Sequence, residues 1–118
     1  MKHSENRSIK EYIDAGQLEK GQYLYSYILG TLFEYRFMYI DNNFAVLRPM
    51  RVKYYEKPKV WERYPYTDER DLVRAEINFD MRFNVNPIEC LKDAVECLEN
   101  HIKSSMWQKD KAEKLLNC

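Results

Sequence analysis

The sequence predicts a single domain of the α+β class, in which an antiparallel sheet of about four strands carries a long C-terminal helix on one face. Two observations lead to this prediction. Residues 73–85 alternate apolar and polar side chains without an error, which is typical of a strand with one buried face. Asn86 and Pro87 then supply an N-cap and a favourable first residue for an amphipathic helix.

The composition restricts the class of protein and its partners. A chain of 118 residues with 45% apolar residues can form one core without disulfides or a metal. Lys and Arg number 19, as do Asp and Glu, so the net charge is zero and a general affinity for nucleic acid or membranes is not expected. No apolar run approaches the roughly 18 residues of a membrane-spanning helix. Three cysteines, an odd number, indicate reduced thiols and a cytoplasmic protein.

The N-terminal region is predicted to contain a polar, disordered tail over residues 1–7, followed by one domain over 8–118. Ser8 and Glu11 have the S-x-x-E spacing of a capping box, which predicts a short helix that begins at Ile9. Gly16 is placed to end this helix.

Residues 22–55 are predicted to form strands joined by hairpins. Aromatic residues recur at period two, namely Phe33, Tyr35, Phe37 and Tyr39. Gly30-Thr31 fits one two-residue turn and Asp41-Asn42-Asn43 a second. A single helix over residues 22–39 is the alternative, because several apolar residues also have helical spacing, but the Tyr and Phe content favours strands. Pro49 and Pro58 flank residues 50–55, which predicts an edge strand.

The C-terminal part of the predicted fold is a long strand over residues 72–85 and a long helix over 87–116. The helix has an apolar stripe at three- and four-residue spacing, which would cover the apolar face of the strand. Ser104-Ser105 allow an alternative in which a second short helix ends near Leu116. Trp107 and Leu115-Leu116 would suit either a helix-mediated homodimer or a tail packed on its own sheet.

Patterns that indicate catalysis or a cofactor are weak. Cys97 and His101 have the i, i+4 spacing of half a zinc site, but the other histidine, His3, lies in the expected tail. A thiol–imidazole pair on one helix would lack a third group to orient the base, and no glycine-rich phosphate loop is present. We therefore expect no enzyme activity, no metal and no cofactor.

The strongest functional pattern is an aromatic-basic segment over residues 48–66. Its residue types dominate protein interfaces, and the predicted partner-binding residues are Tyr54, Tyr55, Trp61, Arg63, Tyr64 and Tyr66. We therefore expect a non-enzymatic protein that regulates or inhibits a protein partner by occlusion. This would suit a phage or mobile-element accessory protein, although no residue pattern indicates that origin.

Two alternative functions use other chemistry. Single-stranded nucleic acid would be bound by cations and rings of the same segment, with the predicted phosphate contacts Arg48, Arg51, Lys53, Lys57 and Lys59. Lysines that protect an edge strand from aggregation would give the same pattern without a ligand. The second alternative is a small anionic ligand or nucleotide bound between two protomers.

Overall fold

A computed structural model of the protein describes residues 3–64, 72–78, 81–99 and 106–118. The predicted α+β class is confirmed. The described residues form a five-stranded antiparallel sheet, a two-stranded sheet and three helices. In chain order the elements are β1 (Arg7–Ser8), α1 (Ile9–Asp14), β2 (Tyr23–Ile28), β3 (Thr31–Asp41), β4 (Phe44–Tyr54), β5 (Glu62–Arg63), β6 (Val73–Glu76), β7 (Arg82–Phe83), α2 (Pro87–Glu99) and α3 (Met106–Leu116).

The N-terminal helix α1 begins and ends where the sequence predicts. The Ser8 hydroxyl accepts a hydrogen bond from the Glu11 backbone N–H, and the Glu11 carboxylate accepts one from the Ser8 backbone N–H, which completes the capping box. Gly16 follows the C-cap with φ 66°, a conformation that glycine adopts without the steric cost of a side chain.

The centre of the large sheet is the long hairpin of β3 and β4. Strand β2 pairs with the other edge of β3, which confirms the strand prediction for residues 22–39 and excludes the single helix. The second predicted turn is confirmed, because Asp41 pairs with Phe44 around Asn42-Asn43. The first turn contains Leu29 and Gly30, one residue earlier than predicted, and both have positive φ. Two-residue hairpin turns with positive φ at both positions match the twist of the strands, so glycine takes the second position.

The predicted edge strand after Pro49 is wrong, since β4 is one central strand that contains Pro49. It pairs with β3 on one side, and on the other with β6 over residues 44–47 and with β5 over residues 51–52. Pro49 is tolerated because it lies between these two outer partners and beside the irregularity that opposes Glu34 and Tyr35.

The predicted single strand over 72–85 is also wrong in extent, because its two halves join different sheets. Strand β6 ends at Glu76, which pairs with Phe44, the first residue of β4. Beyond Glu76, strand β4 offers no further residue to pair with. Strand β7 instead pairs with β1. The predicted alternation still holds at Ala75 and Phe83, which are both buried, while residues 79–80 lie outside the described part of the chain.

The predicted long helix over 87–116 is two helices, so the alternative with a second helix ending at Leu116 is confirmed. Asn86 caps α2 by accepting hydrogen bonds from the backbone N–H groups of Ile88 and Glu89 at 2.9 and 3.1 Å. The helices are antiparallel, since the start of α2 packs with the end of α3 and Lys109 Nζ lies 3.4 Å from Glu99 Oε1. Residues 100–105, which include His101, lie outside the described residues.

The sheet separates two layers of core. The first layer joins α1 to the sheet and contains Ile9, Tyr12, Leu24, Tyr35, Phe37, Ala45, Leu47, Ala75 and Phe83. The second packs α2 and α3 on the opposite face and contains Leu32, Cys90, Leu91, Ala112 and Leu115. The apolar face of residues 73–85 therefore packs in the layer of α1, and the prediction that the C-terminal helix covers it is wrong. Leu115 packs on the protein's own sheet.

Residues 3–8, which we call the N-terminal strap, lie against β7 and α2. The Asn84 side-chain amide donates to the backbone carbonyl of Ser4 at 3.2 Å, and the Asn6 backbone N–H donates to Asp93 Oδ2 at 2.8 Å. Residues 3–7 belong to the stretch for which the sequence predicts a tail. The buried side chains of Asn84 and Asp93 both require hydrogen-bond partners, and residues of the strap supply them. Among the described residues, no helix has the length and apolar character needed to cross a bilayer.

Candidate functional site

A cleft rich in arginine opens on the sheet face that also carries α2 and α3. Its volume is about 530 Å³, and its walls are Tyr23, Glu34, Arg48, Pro49, Met50, Arg51 and Arg63. We call this site the arginine cleft. Its residues come from β2, β3, β4 and β5, so four strands contribute to one surface.

The strand register explains why these residues converge. Glu34 of β3 pairs with Arg51 of β4, and Arg51 pairs with Arg63 of β5. Tyr23 of β2 pairs with Arg36 of β3, and Arg36 pairs with Arg48. Side chains of directly opposed residues project from the same face of a sheet, so residues as far apart in sequence as Tyr23 and Arg63 line one cleft. The cleft is therefore a product of pairing between strands.

An ion pair between buried Glu34 and half-exposed Arg51 lines the cleft. Arg51 Nε and Nη2 donate to the two Glu34 carboxylate oxygens at 2.8 Å each, and the Tyr25 hydroxyl donates to Glu34 Oε2 at 2.9 Å. Glu34 is only 3% exposed, so these three bonds replace its contacts with water. Hydrogen bonding to Glu34 raises the pKa of Arg51. Burial, with the Glu34 hydrogen bond as a second cause, raises the pKa of Tyr25 to about 12.

The lining of the cleft is rich in guanidinium groups. Three arginines and one glutamate line it, and Arg51 pairs with that glutamate, Glu34. Arg63 is exposed, as is Arg36 on the same face. The ring of Tyr23, 44% exposed, forms part of the wall. This combination of guanidinium groups and one ring can bind an anionic group, since guanidinium pairs bidentately with carboxylates and phosphates.

Trp61, predicted to bind a partner, packs beside the cleft. Its ring centroid lies 6.2 Å from that of Tyr25, and the Arg51 guanidinium carbon lies 4.8 Å from it. Lys53 Nζ lies 5.6 Å from the same ring. These contacts leave Trp61 half-buried, so its ring supports the position of Arg51.

Tyr64 lies on the opposite face of the sheet from Trp61. Its ring stacks on Phe33, with centroids 6.4 Å apart, and burial raises the pKa of Tyr64 to about 12. Because neighbouring residues of a strand alternate faces, Trp61 and Tyr64 do not share one surface. Tyr66 lies outside the described residues.

Tyr54 and Tyr55 lie at the end of the sheet near the β2–β3 turn. Lys111 Nζ of α3 lies 3.6 Å from the centroid of the Tyr55 ring and 4.6 Å from that of Trp107. Trp107 is 43% exposed. The aromatic residues of the predicted segment therefore divide among three locations: this end of the sheet, the wall beside the cleft and the opposite sheet face.

The predicted phosphate-binding residues divide in the same way. Arg48 and Arg51 line the cleft, while Lys53 lies over Trp61. Lys57 Nζ bonds to Glu62 Oε1 at 2.8 Å, and Lys59 is exposed. The residues that the sequence analysis did not include are Tyr23, Glu34 and Arg36. Their only signal is that Glu34 and Arg36 alternate with aromatic residues, which placed them on a polar face without showing what lay opposite.

The arginine cleft has no set of metal ligands, because its side chains offer one carboxylate that is already bonded. Within the described part of the chain, one group of metal-ligand type is found elsewhere, and it consists of His3, Asp93 and Glu96. Comparisons of the chain with protein-family models, with curated proteins and with solved structures give no match.

Proposed function

We propose that the protein is a non-enzymatic binding protein whose arginine cleft holds an acidic segment of a protein partner and thereby occludes it. The observation that carries this proposal is a formed cleft whose lining has three arginines and one glutamate, and whose glutamate is already paired with Arg51. Guanidinium groups bind carboxylates through two parallel hydrogen bonds, which gives both affinity and orientation.

The rigidity of the cleft supports binding. Its side chains extend from paired strands, and the Glu34–Arg51 pair is held on one side by Tyr25 and on the other by Trp61. A binding site that is ordered before the partner arrives loses little conformational entropy on association. The cleft volume of about 530 Å³ suits a few side chains of a partner segment.

The chemistry of the cleft supports a role without catalysis. Both Glu34 oxygens accept hydrogen bonds from Arg51, so the carboxylate is not placed to accept a proton from a substrate. Burial raises the pKa of Tyr25 to about 12, which moves it further from neutral pH than the ordinary tyrosine value of 10.0. General acid–base catalysis favours groups whose pKa is near the working pH.

Single-stranded nucleic acid is a second candidate, and the exposed Tyr23 ring beside two arginines favours it, since bases stack on such rings. A protein partner is preferred because Trp61 and Tyr55 already carry cations over their faces and the chain has no net charge.

The experiment is a pull-down from native lysate with the wild-type protein and with Arg48→Ala/Arg63→Ala. Loss of two charge-assisted contacts, each contributing about 1.5–3 kcal/mol, should weaken capture by roughly 100-fold or more. Lys92→Ala/Lys114→Ala is the matched control, because it removes two positive charges from exposed helix positions. Thermal melting verifies that each variant folds.

Cross-linking through a photoreactive residue at position 50, in the cleft wall, identifies what is bound there. Cross-links to an acidic protein segment support the proposal. Capture that nuclease removes, together with oligonucleotide affinity that falls steeply with salt, would instead support single-stranded nucleic acid. Capture that the arginine variant and the lysine control reduce equally would exclude the cleft as the binding site.

A further inference from the structure

A cluster of His3, Asp93 and Glu96 lies where the N-terminal strap crosses α2. His3 Nε2 is 3.1 Å from Asp93 Oδ1 and 3.0 Å from Glu96 Oε2. One ligand atom from each of the three side chains lies within 4.8 Å of the other two. The single Nε2 atom thus faces two carboxylate oxygens at once.

The two separations from Nε2 are compatible with ligands that share one cation, as well as with hydrogen bonds between the imidazole and the carboxylates. Ligand atoms at about 2.0–2.1 Å from a transition metal are separated by roughly 3.0 Å in octahedral geometry and about 3.3 Å in tetrahedral geometry. The two separations from Nε2, 3.1 and 3.0 Å, lie near this range. A small movement of the side chains would therefore admit an ion between the three ligand atoms.

The N-terminal strap and α2 together fix the position of Asp93. Asp93 is only 6% exposed, and its second oxygen, Oδ2, accepts the Asn6 backbone N–H at 2.8 Å. Such a bond orients a ligating carboxylate, as outer-shell hydrogen bonds commonly do. Asp93 and Glu96 are three residues apart on α2, so they project from the same side of the helix.

The cluster is accessible to an ion. Asp93 lines a cavity of about 440 Å³ together with Cys97, and the Glu96 side chain is 48% exposed. The Cys97 thiol lies next to the cluster, with Sγ 3.9 Å from Asp93 Oδ2. The site thus has an entry path and remaining coordination positions that water can fill.

We propose that His3, Asp93 and Glu96 bind a divalent transition-metal ion, which ties the N-terminal strap to α2. One imidazole and two carboxylates suit Zn²⁺ and neighbouring ions, whereas Mg²⁺ and Ca²⁺ prefer oxygen ligands alone. The ion would neutralise two carboxylates that converge on one imidazole. The site is separate from the arginine cleft, so it stands or fails independently of the proposed function.

The test is calorimetric titration with Zn²⁺ and with Mg²⁺, combined with thermal melting. The protein carries Cys118→Ser, which removes an exposed thiol, and an N-terminal extension without His or Cys, which separates the α-amino group from His3. We expect one Zn²⁺ per chain and a rise in Tm of about 10 °C at a free concentration 100 times Kd. Mg²⁺ at the same concentration should leave Tm unchanged.

The ligands are tested by His3→Ala and Glu96→Gln, and each should weaken Zn²⁺ binding more than 100-fold, because loss of even an outer-shell partner costs about 10- to 100-fold. Glu99→Gln is the matched control, since Glu99 is on the same helix and pairs with Lys109 outside the cluster. Cys97→Ser should retain stoichiometric binding.

Three results would overturn the proposal. The first is the absence of stoichiometric Zn²⁺ binding by the protein, which would leave His3, Asp93 and Glu96 as an ion-paired cluster only. The second is unchanged affinity in both His3→Ala and Glu96→Gln. The third is binding that Cys97→Ser abolishes but His3→Ala does not affect, which would assign the ion to a thiol site.

Discussion

Leu29 is held in a backbone conformation that leucine rarely adopts. It is the first residue of the β2–β3 turn, with φ 48°, and its side chain is 64% exposed. The left-handed region costs an L-residue with a β-carbon about 1–2 kcal/mol. Leu29 regains little of this free energy from burial, so the turn geometry imposes the conformation on a residue that is poorly suited to it.

We predict that Leu29→Asn stabilises the protein by about 0.5–1 kcal/mol, because asparagine tolerates the left-handed region and is favoured in two-residue hairpin turns. Urea denaturation measures the free energy of unfolding. Leu29→Ser is the control, since it removes the same side chain without favouring positive φ. Equal stabilisation by serine would show that loss of the exposed apolar side chain is responsible.

Glu34 shows at the same scale how a polar residue becomes part of a core layer. It alternates with aromatic residues in the sequence, which assigns it correctly to the face opposite Phe33 and Tyr35. That face is nevertheless buried at Glu34, because Arg51 and Tyr25 approach from neighbouring strands. The alternation predicts which side of the strand a residue is on, but the residues opposite it decide whether that side meets water.

At the scale of elements, the buried side chain of Asn84 holds the N-terminal strap together with that of Asp93. Asn84 is 1% exposed, and its amide group donates to the Ser4 backbone carbonyl and to Asn6 Oδ1, each at 3.2 Å. Its backbone also pairs with Tyr25 of β2. Asn84 therefore joins the two-stranded sheet, the strap and the edge of the large sheet.

We predict that Asn84→Ala destabilises the protein by about 2 kcal/mol and loosens the strap. The substitution removes the hydrogen bonds from the buried Asn84 amide to Ser4 and Asn6, each of which contributes about 0.5–1.5 kcal/mol. In the variant, hydrogen exchange at the Asn6 and Ser8 amides should be faster than in the wild-type protein, and this increase should exceed any increase at the amides of β3. Asn43→Ala, at an exposed turn position, is the control. Unchanged exchange at Asn6 would show that Asp93 alone holds the strap.

At the scale of the whole molecule, buried tyrosines and a thiol link stability to alkaline pH. Burial raises the pKa of Tyr25, Tyr27 and Tyr64 from 10.0 to about 12, and that of Cys90 from 9.0 to about 12. These groups are neutral in the folded protein at a pH where the unfolded chain ionises. The folded state then binds more protons than the unfolded state, so the free energy of unfolding decreases as pH rises.

We predict that stability is retained up to about pH 9 and decreases progressively between pH 9 and pH 12. The decrease begins near the unfolded pKa of cysteine, 9.0, and becomes steeper above that of tyrosine, 10.0. It ends near the folded pKa values of about 12. Urea denaturation at stepped pH measures the decrease, and absorbance at 295 nm records tyrosine ionisation in the folded protein. A constant free energy of unfolding from pH 8 to pH 11 would contradict the prediction.

The arginine cleft was only partly accessible from the sequence. Arg48, Arg51 and Arg63 belong to the aromatic-basic segment, which the sequence predicts to be a binding region. Tyr23 and Glu34 were not included, because they are separated from that segment by one or two strands and join it only through strand register. Conversely, Trp61 and Tyr64 are close in sequence, which predicts one shared surface. They lie on opposite faces of the sheet, so they do not form one.

Local pattern alone determined the α+β class, the capping box of α1, the strands of residues 22–39 and the N-cap of α2. These features depend on contacts within a few residues, which composition and spacing encode directly. Only the tertiary structure decided where residues 73–85 divide, which layer covers their apolar face, that the predicted tail contains His3 beside Asp93, and that four strands form one cleft. These features depend on pairing between distant segments, where a partner's end or a buried polar group outweighs local preference.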